Sequence, residues 1–393
     1  MIRRHRTRPA VVALVAAVAA VAALAGSASA RTSAWTVTPV ASGLDSPRGL
    51  AFEPNGTLLV AESGHGGDVC TQSAEGPLCL GLTSQISKVD PKTGAHTPLV
   101  TGLYSRNAAM EGITGVDGIA AQGGRLVGAM TLYPQALDGW SCAGQPADCA
   151  DVLAGARAQA GQLIQFDDGG TWKAVAGVGA NDLDWAAANP SYSNEPPNAN
   201  PYGVFGVPAG TYVADAGANV IDFVAANGQI TVASAIPPPP PGGFPADTVP
   251  TCVTVLHGNL YAGSLSGRFW KRGGSFDPTE VPVQDSSGKS LLHHVTGCAS
   301  DEKTGAVYLV DMWGTPGPPI PAGPQSTAGT GSVVELAKDG TASVIASGLD
   351  FPNGIALAKD GSLYVTVGST CTAVGTPFPY CAKGGGIVHL QAS

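Results

Sequence analysis

Hydrophobic and polar positions along this chain fall into short alternating runs separated by tight turns. The run SGLDSPRGLAFEPNGTLLVAESG begins at Ser42, and SGLDFPNGIALAKDGSLYVTVGS, beginning at Ser347, aligns on it without a gap 305 residues later. Each copy reads as an apolar strand, a turn of the Asn55-Gly56 or Asp360-Gly361 kind and a second strand, a strong local signal for a β-hairpin. Weaker copies fill the interval: Asp117-Gly118-Ile119-Ala120 with Gly124 to Val127, Tyr202-Gly203-Val204 with Gly210 to Asp215, Cys252-Val253-Thr254 with Gly258 to Tyr261, and Gly297-Cys298-Ala299 with Gly305 to Asp311. With the two clear copies these make six hairpins in chain order.

Third strands follow several hairpins, at Gln85 to Val89, Gln162 to Phe166, Val220 to Phe223, Ser332 to Leu336 and Ile387 to Leu390; Thr97 to Val100 and Ser343 to Ala346 read as fourth strands. Four-stranded sheets repeated around a circle are the blades of a β-propeller, whose radial repetition leaves only short, protected edges. The pattern therefore predicts an all-β, six-bladed β-propeller. Trp35 to Ala41 reads as a fourth-type strand with no hairpin before it, while the last repeat stops after its third strand, so the N-terminal strand is expected to close the final blade. Long loops are expected at Trp140 to Ala160, Gly179 to Ala199, the proline run Ile236 to Gly243, and Gly314 to Pro324.

Composition supports this picture and narrows the partners. Gly 54 and Pro 31 are too many turn formers for a helical protein, and 12% charged against 44% hydrophobic residues leaves ample material for a core. The net charge of −9 argues against a nucleic-acid binder or a partner of anionic membrane surfaces. Arg3, Arg4, Arg6 and Arg8, the apolar run Ala10 to Ala25 and Ala28-Ser29-Ala30 read as a signal peptide over residues 1–30, with one propeller domain over 31–393 and no membrane insertion after cleavage. The product is expected outside the cell or in the periplasm.

Eight cysteines in an exported chain are expected to pair. Spacing suggests Cys70 with Cys79, Cys142 with Cys149 and Cys371 with Cys381, leaving Cys252 with Cys298.

In a propeller blade the start of the innermost strand lies beside the end of the second, so repeat alignment names one rim. The strand starts are Arg48, Asp117, Tyr202, Pro250 or Thr251, Thr296 and Asn353; the second-strand exits are Glu62, Met130, Asp215, Ser264, Asp311 and Val367. Glu62, Asp215 and Asp311 place carboxylates at alternate exits, and Glu111 and Asn200 precede neighbouring strand starts. Carboxylates with Asn suit Ca²⁺, and the nearby imidazoles of His65, His293 and His294 suit Zn²⁺, so these five oxygen donors are the candidate divalent-cation ligands. The competing reading is structural: a carboxylate at a strand exit also caps the next turn, and Glu62 has Arg48 across its own hairpin as a partner. The chain has no GxSxG elbow and no Gly-rich phosphate loop.

VASGLDSPRGLAFEPNGTLLVAE, NAAMEGITGVDGIA, NPYGV with GTYVADAGANVIDFVAANG, and SGLDFPNGIALAKDGSLYV together resemble the exported ScyD/ScyE family over about Trp35 to Leu390, and YVADAGAN resembles NHL-type propellers. The resemblance implies an NHL-like propeller without fixing a reaction. Two functional classes follow. One is a binding or scaffold protein holding a small molecule or divalent cation in its channel, or engaging a protein partner. The other is a metal-dependent hydrolase resembling the lactonase propellers, although Arg48 and Tyr202 stand where those enzymes carry ligands; a quinone-dependent oxidoreductase is a third reading.

Overall fold

The computed structural model describes residues 35–73, 76–108, 112–122, 125–240, 245–314, 327–375 and 378–393; the expected signal peptide and Glu111 lie outside them. Half of the chain is strand and a tenth is helix, which makes the fold all-β. The strands of the described residues form six antiparallel sheets.

The first sheet contains Pro47–Phe52, Leu58–Glu62, Gly76–Val89 and His96–Ala108, with the short strands Val69–Ser73 and Gly112–Thr114 added at one end. The second runs through Val116–Gln122, Arg125–Met130, Gln162–Phe166 and Trp172–Gly177. The third is Pro201–Val207, Gly210–Asp215, Val220–Ala225 and Ile230–Ala235; the fourth is Pro250–Leu256, Asn259–Ser264, Phe269–Arg272 and Thr279–Glu280. The fifth comprises Val295–Asp301, Ala306–Asp311, Gly331–Leu336 and Ala342–Leu349. In the sixth, Ile355–Leu357, Leu363–Val367 and Gly385–Ala392 are joined by the N-terminal strand Trp35–Leu44, which pairs antiparallel with Gly385–Ala392 and sets Trp35 opposite Ala392.

The repeated turn explains the repeated hairpin. Asn55 Oδ1 accepts the Thr57 N–H at 2.8 Å while Gly56 takes φ of +94°, and Asp360 Oδ1 accepts the Ser362 N–H at 3.0 Å with Gly361 at +89°.

The first strands of successive sheets touch in chain order, and the first strand of the sixth returns to that of the first. Glycine governs this contact. A Cβ on Gly118 would lie 2.2 Å from the Tyr202 carbonyl oxygen, on Gly203 2.5 Å from that of Thr251, on Gly297 2.2 Å from that of Asn353, and on Gly354 2.3 Å from that of Arg48. Gly49 meets the Asp117 carbonyl in the same way at 2.9 Å. In the fourth sheet the matching residue is Cys252, which is disulfide-bonded to Cys298 beside Gly297. Apolar side chains fill the wedges between sheets, as where Leu50, Leu58 and Val60 meet Ala356 and Ile387, or Ala120, Val127 and Leu163 meet Val213 and Val224.

All four disulfides match the spacing: Cys70–Cys79, Cys142–Cys149, Cys252–Cys298 and Cys371–Cys381. They fit an oxidising, extracytoplasmic compartment. Among the described residues no helix is long and apolar enough to cross a membrane. Two stretches expected as loops contain helices, α1 over Cys149–Gln159 and α2 over Val178–Ala188. Both bury one stripe, Val152, Leu153 and Ala156 in α1, which packs on Gly76–Val89 and His96–Ala108, and Val178, Asp182 and Ala186 in α2, which packs on Gln162–Phe166.

Overpacking against backbone cannot be relieved by a rotamer change, so Gly118→Ala and Gly297→Ala are expected to cost at least ~3 kcal/mol, the upper end for core overpacking. Gly274→Ala, where nothing lies within 4 Å of the added carbon, is the neutral control. Urea unfolding of the three variants measures the difference.

Candidate functional site

Each first strand carries an irregularity where it reaches the axis. Val116 pairs with Met130 and Gly118 with Ala129, leaving Asp117 as an extra residue; Tyr202, Thr251 and Thr296 are displaced in the same way, and Arg48 with Gly49 falls between the pairs Pro47–Glu62 and Leu50–Val60. In the sixth sheet Asn353 N–H donates to Thr366 O and Thr366 N–H to Gly354 O, the same two-against-one arrangement. A β-bulge re-aims one side chain, and here six bulges aim six side chains at one place. Asp117, Tyr202, Thr251, Thr296 and Asn353 line an axial cavity of about 60 Å³, room for a few waters.

Three of the six side chains close the channel. The Arg48 guanidinium donates from Nη1 to the Tyr202 hydroxyl at 3.3 Å and from Nη2 to Ile113 O at 2.5 Å, while Asn353 Nδ2 donates to the same hydroxyl at 2.8 Å. This ties the first, third and sixth sheets across the axis. Thr251 and Thr296 instead donate to backbone carbonyls of the following sheet, Val295 O at 2.5 Å and Asn353 O at 3.2 Å. Asp117 Oδ1 accepts from the Ser63 hydroxyl. Arg48 Nε and Asp117 Oδ2 are buried with no hydrogen-bond partner.

Burial opposes the Arg48 charge, but the nearby Tyr202 and Asp117 outweigh it and hold the guanidinium above its ordinary value. Burial raises the Asp117 carboxyl, against the pull of Arg48, Ser63 and the Gly115 N–H. It also raises the Tyr202 phenol, which stays protonated at neutral pH. The plug thus combines a fixed cation, a titratable carboxyl and a neutral hydroxyl.

The three exit carboxylates stand at equivalent positions, opposite Pro47, Pro201 and Val295. Each is occupied by its own sheet. Glu62 accepts the Asp45 N–H at 2.7 Å, Gln85 Nε2 at 2.9 Å and the Ser87 hydroxyl at 2.5 Å. Asp215 Oδ1 accepts the N–H groups of Asn200, Gly217 and Ala218 at 2.7, 2.9 and 2.8 Å. Asp311 accepts the N–H groups of His293 and His294 and pairs with His293 Nδ1 at 2.9 Å. In all three, the carboxylate grips the backbone one or two residues before the first strand, which is capping chemistry. Asn200 Oδ1 is likewise engaged, accepting the Leu132 N–H at 3.1 Å. The partner suggested for Glu62 is different: Arg48 reaches across to Tyr202 and Ile113, because its bulge turns it toward the axis.

Backbone strain gathers at the same rim. Ser46, Val249 and Phe351 take φ of +52°, +55° and +39° directly before Pro47, Pro250 and Pro352, an arrangement costing ~1–3 kcal/mol each. Their carbonyls accept the N–H groups of Ser63, Leu265 and Ser369, just past the second-strand exits.

His65 Nδ1 pairs with Asp45 Oδ2 at 2.6 Å. His294 is buried and stacks on Trp313 with ring centroids 4.2 Å apart, and burial lowers its pKa. Trp313 continues into Phe351 and Tyr380, and Trp270 is buried between the fourth sheet and Ala214 and Ile221 of the third, so these aromatic rings pack the sheets. Among the described residues no group of three or more His, Cys, Asp or Glu side chains is arranged to hold a metal ion.

Sequence reasoning missed Asp182 and Asp222, which are buried beside Asp215. The signal was present for Asp222, a carboxylate in the middle of the apolar strand Val-Ile-Asp-Phe-Val-Ala. Asp182 was hidden by the reading of its helix as a loop.

No family model and no curated protein matches the chain. Solved structures do. A Bacteroides thetaiotaomicron protein of unknown function superposes with a TM-score of 0.55 at 12% identity, covering 91% of this chain and 76% of its own. A gluconolactonase from Xanthomonas campestris gives 0.52 at 10% identity, covering 91% and 89%. A luciferin-regenerating enzyme gives 0.50 at 11% identity, covering 91% and 95%. The structural neighbours are β-propeller proteins, and the likeness is one of fold.

Capping and metal binding make different demands on Asp311. Asp311→Ala leaves the N–H groups of His293 and His294 without their acceptor and is expected to cost ~2–4 kcal/mol, read by urea unfolding, with no change in metal content by elemental analysis.

Proposed function

We propose that the chain is an exported six-bladed β-propeller of the ScyD/ScyE kind, its sixth blade closed by Trp35–Leu44, that binds one polar small molecule at the plug of its axis. The observation that carries this reading is the buried, oppositely charged pair Arg48 and Asp117, each with one unpartnered polar atom, beside the Tyr202 hydroxyl. A donor and an acceptor side by side match a ligand presenting a carbonyl or carboxylate next to a hydroxyl, as sugar acids and their lactones do. The narrow cavity admits only the end of such a molecule.

A second reading, hydrolysis of a lactone, draws support from the fold shared with a gluconolactonase. The residues at this mouth do not fit a divalent ion that would polarise the carbonyl: the exit carboxylates are engaged as caps, and the axis carries one carboxylate, Asp117, beside the fixed cation of Arg48, with Tyr202, Asn353 and two threonines for the rest.

Titration calorimetry with D-gluconate and D-glucono-1,5-lactone is expected to give one site per chain. Arg48→Met should weaken it about tenfold or more, the effect of losing a hydrogen bond to a charged group. Absence of saturable binding by either probe would count against the reading, and acid release from the lactone that depends on added Ca²⁺ or Zn²⁺ would favour the hydrolase.

A further inference from the structure

Away from the axis, three carboxyl groups meet with no cation among them. Asp182 lies on α2, in the middle of the stripe Val178, Asp182, Ala186 that the helix buries. Asp222 lies on Val220–Ala225, opposite Val213 and Val232, between the buried Val220 and Val224. Asp215 ends the neighbouring strand, opposite Val220. All three have no exposed surface. Asp182 lies within hydrogen-bonding reach of both Asp215 and Asp222.

The donors available to this cluster are few. Asn181 Nδ2 donates to Asp182 Oδ1 at 2.9 Å, and three backbone N–H groups converge on Asp215 Oδ1. Both oxygens of Asp222, Asp182 Oδ2 and Asp215 Oδ2 receive no N–H or O–H from any other residue type. The elements packed on α2, which are Gln162–Phe166, Pro134–Leu137 and Pro190–Tyr192, offer no Lys, Arg or His; their one ionisable group, the Tyr192 phenol, donates to Asp277. Asp184 on α2 faces solvent. The third sheet adds only Tyr202 and Tyr212 besides the two aspartates.

Oxygens that face one another in a buried, cation-free site are held either by a metal ion or by protons. The described residues include no group arranged for a metal. We propose that Asp182, Asp215 and Asp222 form a proton-shared latch that seats α2 on the third sheet and lets go as the medium turns alkaline. Two O–H···O contacts join three carboxyls, so two protons are the fewest that close it. A third is carried on Asp222, and each proton that leaves goes to solvent.

Burial raises all three groups, Asp182 and Asp215 well above the ordinary carboxylate range and Asp222 to about 7. The folded cluster binds protons that the unfolded chain has already lost above pH ~4, so its contribution is full below that point and declines as pH rises from there, the share of Asp222 being spent by about 7 and that of Asp182 and Asp215 only at higher pH. The effect reaches the axis, because Asp215 Oδ1 holds the Asn200 N–H, two residues before Tyr202 of the plug.

Hydrogen exchange of the full chain between pH 5 and 9 tests the latch. Protection factors, corrected for the intrinsic pH dependence of exchange, are expected to fall for residues 178–200 across this range, by up to about tenfold per pH unit for each proton that the closed cluster holds and the open one has lost, and more steeply below pH 7, where Asp222 still keeps its proton, than above it. Those of Val307 to Val310 in the fifth sheet should stay level. Asp222→Asn keeps the shape and removes the group that titrates first, so the fall below pH 7 should become shallower, by up to about tenfold per pH unit, while the fall above pH 7 is retained. Asp182→Ala removes both contacts, where an asparagine would keep a donor and an acceptor in place, and should flatten the dependence if the first variant does not fold. A pH profile unchanged in either folded variant overturns the proposal. So does one equivalent of tightly bound metal whose removal by chelator abolishes the protection, which would make the cluster a cation site.

Discussion

Six backbones crowd around one axis, and that crowding is the constraint on which the rest depends. Where a first strand passes its neighbour, a glycine lets its backbone approach the next carbonyl more closely than any side chain permits. The contact cannot be made elastic, since what lies on the other side is main chain rather than a rotatable group. Five glycines and one cystine therefore fix how far apart the sheets stand, and the apolar wedges outside the axis need only fill the angle that remains.

The same crowding shapes the polar centre. Directly before each glycine, or before Cys252 in the fourth sheet, comes a bulge residue whose side chain has nowhere to go but inward, so the axis is paved by six identities set one per sheet. Two threonines turn away and bond the next backbone; Arg48, Tyr202 and Asn353 reach across to each other. Holding the bulges costs strain at Ser46, Val249 and Phe351, offset by the carbonyl bonds to Ser63, Leu265 and Ser369. The exit carboxylates belong to this support: Glu62, Asp215 and Asp311 brace the backbone at alternate strand starts, fixing the residues that lead into Arg48, Tyr202 and Thr296.

Much of this was legible in the sequence because it repeats. The hairpins, the third strands and the axial positions follow from alignment of one unit on the next, and the disulfide partners from the spacing of the cysteines; Arg48, Asp117, Tyr202, Thr296 and Asn353 stand where the alignment puts them, and of the two residues it offers in the fourth sheet, Pro250 pairs with Ser264 and Thr251 is the one at the axis. What a side chain does at its position was less legible. A carboxylate at a strand exit reads equally as ligand or cap until its donors are known, and the donors are backbone groups that no residue type announces. The helices α1 and α2 escaped because they are insertions outside the repeat, short and without a capping side chain. With α2 went Asp182, and with Asp182 the reason for an aspartate in the middle of Val220–Ala225.

Cys252 occupies the one axial position where glycine is replaced, and its bond to Cys298 makes the fourth and fifth sheets inseparable at their narrowest point. The sixth and first sheets meet there through non-covalent contacts alone, and the sixth is completed by a strand from the opposite end of the chain. The circle is thus riveted on one side and zipped on the other. While Cys252 and Cys298 stay oxidised the fourth and fifth sheets cannot part at the axis, which confines any opening of the circle to the other seams.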